Sequence, residues 1–171
     1  MTWTAIAYNF GKRVKPFWES NSLNFMKSTT DVSVPETENP ILVMDMGGVI
    51  RNRPDPFPLP LNPDKTYVDF GLIWGEDIID LIMSDRGKVV LPLRKLQGFE
   101  ELDAALAYAE DITIGIDWSQ VVEATHPDFS IDIVKLLQML HQRGQTDILI
   151  YSLTGECPYI PAGTAVNLEI K

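Results

Sequence analysis

The sequence has few of the residues that build covalent or metal-stabilised folds. Its 171 residues include one cysteine, Cys157, which excludes an internal disulfide framework and a cysteine-rich zinc site. The two histidines, His126 and His141, have no cysteine or second histidine near them in the sequence. Because zinc sites need several such ligands together, we expect neither a metal site nor a cofactor.

Long hydrophobic runs and an excess of basic charge are also missing. No apolar stretch approaches the ~18 residues that a membrane-spanning helix needs. The first residues lack the continuous apolar core of a signal peptide. Acidic residues outnumber basic ones 24 to 14, and the formal net charge is −10. The sequence therefore predicts a protein made in a reducing cytoplasm that binds neither nucleic acid, by bulk charge, nor a membrane.

Basic and aromatic residues are concentrated at the N-terminus. The first 30 residues hold four basic residues and one acidic residue, whereas residues 31–171 hold 10 basic and 23 acidic residues. Residues 1–40 also have too little aliphatic content and periodicity to form a core of their own. They are expected to form an extended arm that binds neighbouring subunits, since aromatic side chains bury large areas and opposite charges fix register. An arm that wraps its own domain is the alternative. The expected partner-binding residues are Trp3, Tyr8, Phe10, Lys12, Arg13, Lys15, Phe17, Trp18 and Phe25.

Residues 41–171 have the pattern of a single α+β domain. Ser130 and Gly144 bracket an amphipathic helix expected from Ile131 to about Gln142. Strands are expected over residues 148–153 and 165–170, and the turn signals between them predict an antiparallel pair. Five prolines between Pro54 and Pro63 predict an extended connector, with a proline-rich docking ligand as the alternative. We expect a mainly antiparallel sheet, two or three packing helices and the N-terminal arm.

One segment has the pattern of a catalytic motif. The run ILVMDMGGVI over residues 41–50 reads as a buried strand that ends in Asp45, followed by a turn. It resembles the first motif of the haloacid-dehalogenase-like phosphatases, which implies Asp45 as the nucleophile and Ser152 as the residue that binds the phosphate. Gly47 stands where many members carry a second acid, and the later lysine and acidic pair of that family are missing. The phosphatase, active or degenerate, is therefore the alternative interpretation.

A second resemblance covers residues 21–75. A polar lead-in followed by ILVMDMGGVIRNR is similar to tail and baseplate structural proteins of tailed bacteriophages, through Asp45, Gly47 and Arg51. The resemblance implies a strand that opens an antiparallel sheet, and a virion component bound to copies of itself or to other tail proteins. Together with the arm, it favours a non-enzymatic assembly subunit with no catalytic residues.

Overall fold

The fold is a mixture of strands and short helices. The computed structural model describes residues 3–27, 38–52 and 61–170. Within them the strands are β1 (Thr4–Asn9), β2 (Lys12–Arg13), β3 (Lys15–Glu19), β4 (Ser22–Met26), β5 (Ile41–Asp45), β6 (Thr66–Asp69), β7 (Lys88–Pro92), β8 (Thr113–Trp118), β9 (Val122–Glu123), β10 (Ile148–Ser152) and β11 (Val166–Glu169). The α-helices are α1 (Met46–Arg51), α2 (Ile78–Met83), α3 (Phe99–Tyr108) and α4 (Ile133–Gln142), and short 3₁₀ turns cover Pro63–Lys65 and Gly75–Asp77.

Most strands run parallel in one curled sheet. β1, β5, β6, β7, β8, β10 and β11 lie side by side in chain order, each parallel to the next. β2 adds antiparallel to β1, and β9 adds antiparallel to β8. β1 and β11 also approach each other, so the sheet curls towards closure. The mixed α and β composition is confirmed, and the expectation of a mainly antiparallel sheet is wrong.

The length of the connections explains the parallel order. Parallel neighbours need a crossover of about a dozen residues or more, and residues 153–165 supply one between β10 and β11. The turn signals in that segment lie within the crossover and do not reverse the strand. The phage resemblance implied an antiparallel sheet at β5, and β5 instead lies between two parallel neighbours, β1 and β6.

The N-terminal segment contributes strands to the sheet of its own domain. β1 pairs with β5 along its whole length, and its residues from Ala5 to Tyr8 are buried. The physical reason is that a strand buried on both faces needs only a short apolar run. β3 and β4 form a hairpin, and its Leu23 belongs to the apolar cluster on the inner face of the sheet.

The two faces of the sheet pack against different partners. On β10, Ile148 and Ile150 join the cluster that α3 and α4 cover, whereas Leu149 and Tyr151 face the inside of the curl. This alternation is the period of two that a strand imposes. The inner face is filled by side chains from the strands and from the hairpin, so the curl encloses a packed core.

Two helices can be compared with the sequence expectations. The helix expected at residues 131–142 is confirmed as α4, with Gly144 in the left-handed conformation after its end. Its cap is Asp132, whose carboxylate accepts the Lys135 N–H at 3.1 Å, and not Ser130. After β5 the chain forms the helix α1 and not the expected turn. The Asp45 carboxylate starts this helix, because it accepts the N–H groups of Gly47 and Gly48. Residues 54–60 of the expected proline-rich connector lie outside the described residues.

Candidate functional site

Charged side chains converge where the parallel strands end. Asp69 is the last residue of β6, Arg94 follows β7, and Asp117 and Tyr151 stand next to last on β8 and β10. Because these strands are neighbours and parallel, their carboxyl ends share one edge of the sheet. Trp18 reaches this edge from β3. We refer to these five residues as the strand-end cluster.

Arg94 lies between the two carboxylates of the cluster. Its Nη2 donates to Asp69 Oδ2 at 2.8 Å and to Asp117 Oδ1 at 2.7 Å. Its Nη1 donates to Asp69 Oδ1 at 3.2 Å, and its Nε donates to Asp117 Oδ2 at 2.6 Å. The planar fork of the guanidinium thus makes two contacts with each carboxylate, the geometry for which arginine is suited.

Two further N–H groups donate hydrogen bonds to the carboxylates of Asp69 and Asp117. The Trp18 indole donates to Asp117 Oδ2 at 2.8 Å, and the Gly71 backbone donates to Asp69 Oδ1 at 2.9 Å. The side chains of Arg94, Asp69 and Asp117 are each at most 1% exposed. Burial alone lowers the pKa of Arg94, but the adjacent Asp117 and Asp69 outweigh it and raise that pKa well above its usual value. The guanidinium therefore stays charged.

Tyr151 is the member of the cluster whose polar atom is unsatisfied. Its hydroxyl is buried near the Asp69 carboxylate but has no partner with the distance and angles of a hydrogen bond. Gly115 provides the space for it, since a Cβ at that position would lie 2.6 Å from the hydroxyl oxygen. Burial and the negative charge of Asp69 raise the pKa of Tyr151 well above its ordinary value. The phenol is therefore kept protonated in the folded protein.

Replacing Tyr151 with phenylalanine is expected to preserve or increase stability at neutral pH, by up to about 1–3 kcal/mol, because an unpaired buried hydroxyl is removed. The raised pKa also predicts an alkaline effect. Tyrosine in the unfolded chain ionises near pH ~10, so the native protein loses stability above that pH. We expect Tyr151→Phe to reduce this alkaline loss in urea unfolding at pH 7 to 11. If the variant is less stable than the wild type at neutral pH, the Tyr151 hydroxyl is not unpaired in the folded protein.

The cluster is closed to solvent by the N-terminal hairpin. Trp18 lies on β3, and Leu23 and Phe25 on β4 pack against the inner cluster of the sheet. In closed parallel barrels the carboxyl ends of the strands carry the active sites. Here the charged groups at that edge bind one another, and the arrangement fixes the hairpin to the sheet. In its present conformation the cluster offers no open face to a substrate.

The residues of the phosphatase interpretation lie apart from one another. Asp45 and Ser152 end strands that are not neighbours in the sheet. The Asp45 carboxylate caps α1, and Arg86 lies 3.9 Å from its other oxygen. The Ser152 hydroxyl donates to the Glu156 carbonyl at 2.7 Å. Among the described residues no group of three or more histidine, cysteine or acidic side chains is placed to hold a metal ion.

The expected partner-binding residues divide into inward and outward groups. Trp3, Tyr8, Trp18 and Phe25 pack within the fold. The outward group contains exposed or half-exposed side chains: Phe10, Lys12, Arg13, Lys15 and Phe17.

Sequence reasoning missed the strand-end cluster itself. The sequence does place Asp69 and Asp117 near the ends of apolar strands and Arg94 just after another strand. Only the parallel order of the strands turns these separate positions into one site.

Comparisons with known proteins assign no family. No protein-family model matches the chain, and no curated protein sequence is significantly similar to it. In the described part of the chain, no helix combines the length and apolar character needed to cross a membrane.

Proposed function

We propose that this chain is a non-catalytic assembly subunit that binds another protein through an apolar face on α2. The observation that carries the proposal is a group of large apolar side chains exposed on one short helix. Ile79 is 42% exposed, Ile82 is 43% exposed and Met83 is 78% exposed. The three stand at helical spacing on α2. We call these three residues the α2 face.

Exposed apolar side chains grouped in this way are typical of protein-binding surfaces. The contrast with α4 supports the proposal, since the apolar side of α4 is buried against the sheet. α2 packs Ile78 and Leu81 against the same core and exposes Ile79, Ile82 and Met83. Docking of a partner would bury them.

The strand-end cluster supports a non-catalytic function. Catalytic acids and bases must reach a substrate, whereas the side-chain polar atoms of Asp69, Arg94 and Asp117 form hydrogen bonds to one another. The virion tail or baseplate is the narrower form of the proposal. This narrower proposal is supported by the sequence resemblance over residues 21–75. It also proposes that the protein is located in the virion.

The proposal is tested by measuring the size of the complex that contains this chain. A tagged chain is produced in the cells that make the protein naturally, and the lysate is separated by size-exclusion chromatography. We expect the wild type to elute in a large complex and the Ile82→Ser/Met83→Ser variant to elute near its own mass of 19.2 kDa. Surface substitutions of this kind change stability by about 0.5 kcal/mol at most, so the fold is retained.

A matched variant controls for the loss of exposed apolar residues in general. Val121 and Val166 are also exposed but lie away from α2. The Val121→Ser/Val166→Ser variant is expected to elute with the wild type. A complex that is unaffected by the α2 substitutions would contradict the proposal. So would Mg²⁺-dependent phosphate release from the purified chain that Asp45→Asn abolishes, because that result would establish the phosphatase.

A further inference from the structure

The α2 face has an acidic surround. Glu76, Asp77, Asp80 and Asp85 lie exposed on α2 or directly beside it. No described residue forms a salt bridge with any of the four. Basic side chains on a docking partner would therefore meet an excess of negative charge at the edge of the apolar face.

The described residues of the same chain include a surface with the complementary chemistry. Lys15 pairs with Met26 across the N-terminal hairpin, and Lys27 follows. Met26 is 56% exposed, and both lysines are exposed. We call Lys15, Met26 and Lys27 the basic edge.

We infer that the basic edge of one copy docks on the α2 face of the next copy, with its lysines beside the acidic surround. The inference rests on the proposed function, because it names the partner of the α2 face. The apolar Met26 would meet the α2 face while the lysines meet its acidic surround. Since the two surfaces differ, the contact is heterologous and builds a ring or an open filament.

Charge reversal provides the test, with purified full-length chains measured by light scattering. Glu76→Lys/Asp80→Lys makes the α2 surround basic, and Lys15→Glu/Lys27→Glu makes the basic edge acidic. We expect the wild type to self-associate, more weakly at high salt, and each variant alone to remain monomeric. The two variants mixed one to one should associate again, because the basic edge of the first meets the acidic surround of the second and the acidic edge of the second meets the basic surround of the first.

A matched pair of substitutions controls for altered net charge. Glu100 on α3 and Glu110 just after it are exposed, and the Glu100→Lys/Glu110→Lys variant, which changes the net charge by as much as Glu76→Lys/Asp80→Lys, should associate like the wild type. A wild-type chain that stays monomeric up to about 1 mM would overturn the inference, as would mixed variants that do not associate. If the complex in lysates still depends on Ile82 and Met83 in that case, the proposed function stands with a different partner.

Discussion

Replacing Arg94 with methionine is expected to destabilise the fold by about 3–5 kcal/mol. The substitution leaves the buried carboxylates of Asp69 and Asp117 without their common cation, and an uncompensated buried charge is costly. Because a domain is stable by only about 5–15 kcal/mol, the loss should be visible as a large drop in the urea midpoint. Circular dichroism of the variant and the wild type measures it.

A variant without the charges of Asp69, Arg94 and Asp117 shows how much of the destabilisation by Arg94→Met comes from unpaired carboxylates and how much from lost packing of the arginine side chain. In the Asp69→Asn/Arg94→Met/Asp117→Asn variant no ionised side chain of the triad remains. An unpaired buried charge is more costly than an unpaired buried amide, and asparagine keeps an oxygen that accepts the Trp18 and Gly71 N–H groups, so this variant should regain part of the stability that Arg94→Met loses. An Arg94→Met protein that unfolds at the wild-type midpoint would show that the cluster contributes nothing to the fold.

Replacing Gly48 with alanine should be nearly as damaging, with a loss of about 3 kcal/mol or more. A Cβ at this position would strike the carbonyl oxygen of Phe70 and lie 2.8 Å from its carbonyl carbon. The obstacle is backbone, which cannot rotate away as a flexible side chain does, so the cost exceeds the ~1–3 kcal/mol that overpacking typically has. The better helix propensity of alanine offsets only about 1 kcal/mol. Thermal unfolding measures the difference.

Gly144 provides the matched comparison for Gly48. It has a φ of 79°, and no atom lies within 4 Å of the place that an alanine Cβ would take, so alanine there is strained without being crowded. We expect Gly144→Ala to cost about 1–2 kcal/mol, clearly less than Gly48→Ala. Equal losses at the two positions would contradict the close contact between α1 and the segment after β6.

These expectations give the DMGG motif a structural explanation. Asp45 caps the helix that follows it, and Gly48 lets that helix approach the backbone at Phe70. A local sequence match does not distinguish this arrangement from a nucleophile followed by a phosphate-binding turn. The difference depends on which strands lie beside β5, and local sequence does not specify that.

Local elements were predictable and their arrangement was not. The apolar spacing that predicts a helix at residues 131–142 is a property of the segment itself, and α4 confirms it. The direction of β11 relative to β10 depends on the path of residues 153–165, which turn signals alone do not define. The pairing of β1 with β5 depends on contacts between distant parts of the chain, so the N-terminal segment resembles a free arm in sequence.

The candidate site residues were likewise predictable where local sequence determines their exposure, and not where distant contacts determine it. Exposed basic residues at the N-terminus were predictable because charge favours the surface. The inward packing of Trp3, Tyr8, Trp18 and Phe25 was not, because an aromatic residue has the same sequence signature in a core and at an interface. The α2 face was missed for the same reason, since its apolar residues have the spacing of an ordinary core helix.

Hydrogen exchange at α2 tests most directly whether this helix forms a protein contact. Amides in a short helix on the surface exchange rapidly unless a partner covers them. We predict that the amides of Ile78–Met83 exchange more slowly in the complex isolated from its natural source than in the dilute purified chain, while the amides of α4 exchange equally in both. Equal exchange at α2 in the two samples would contradict its function as the docking face.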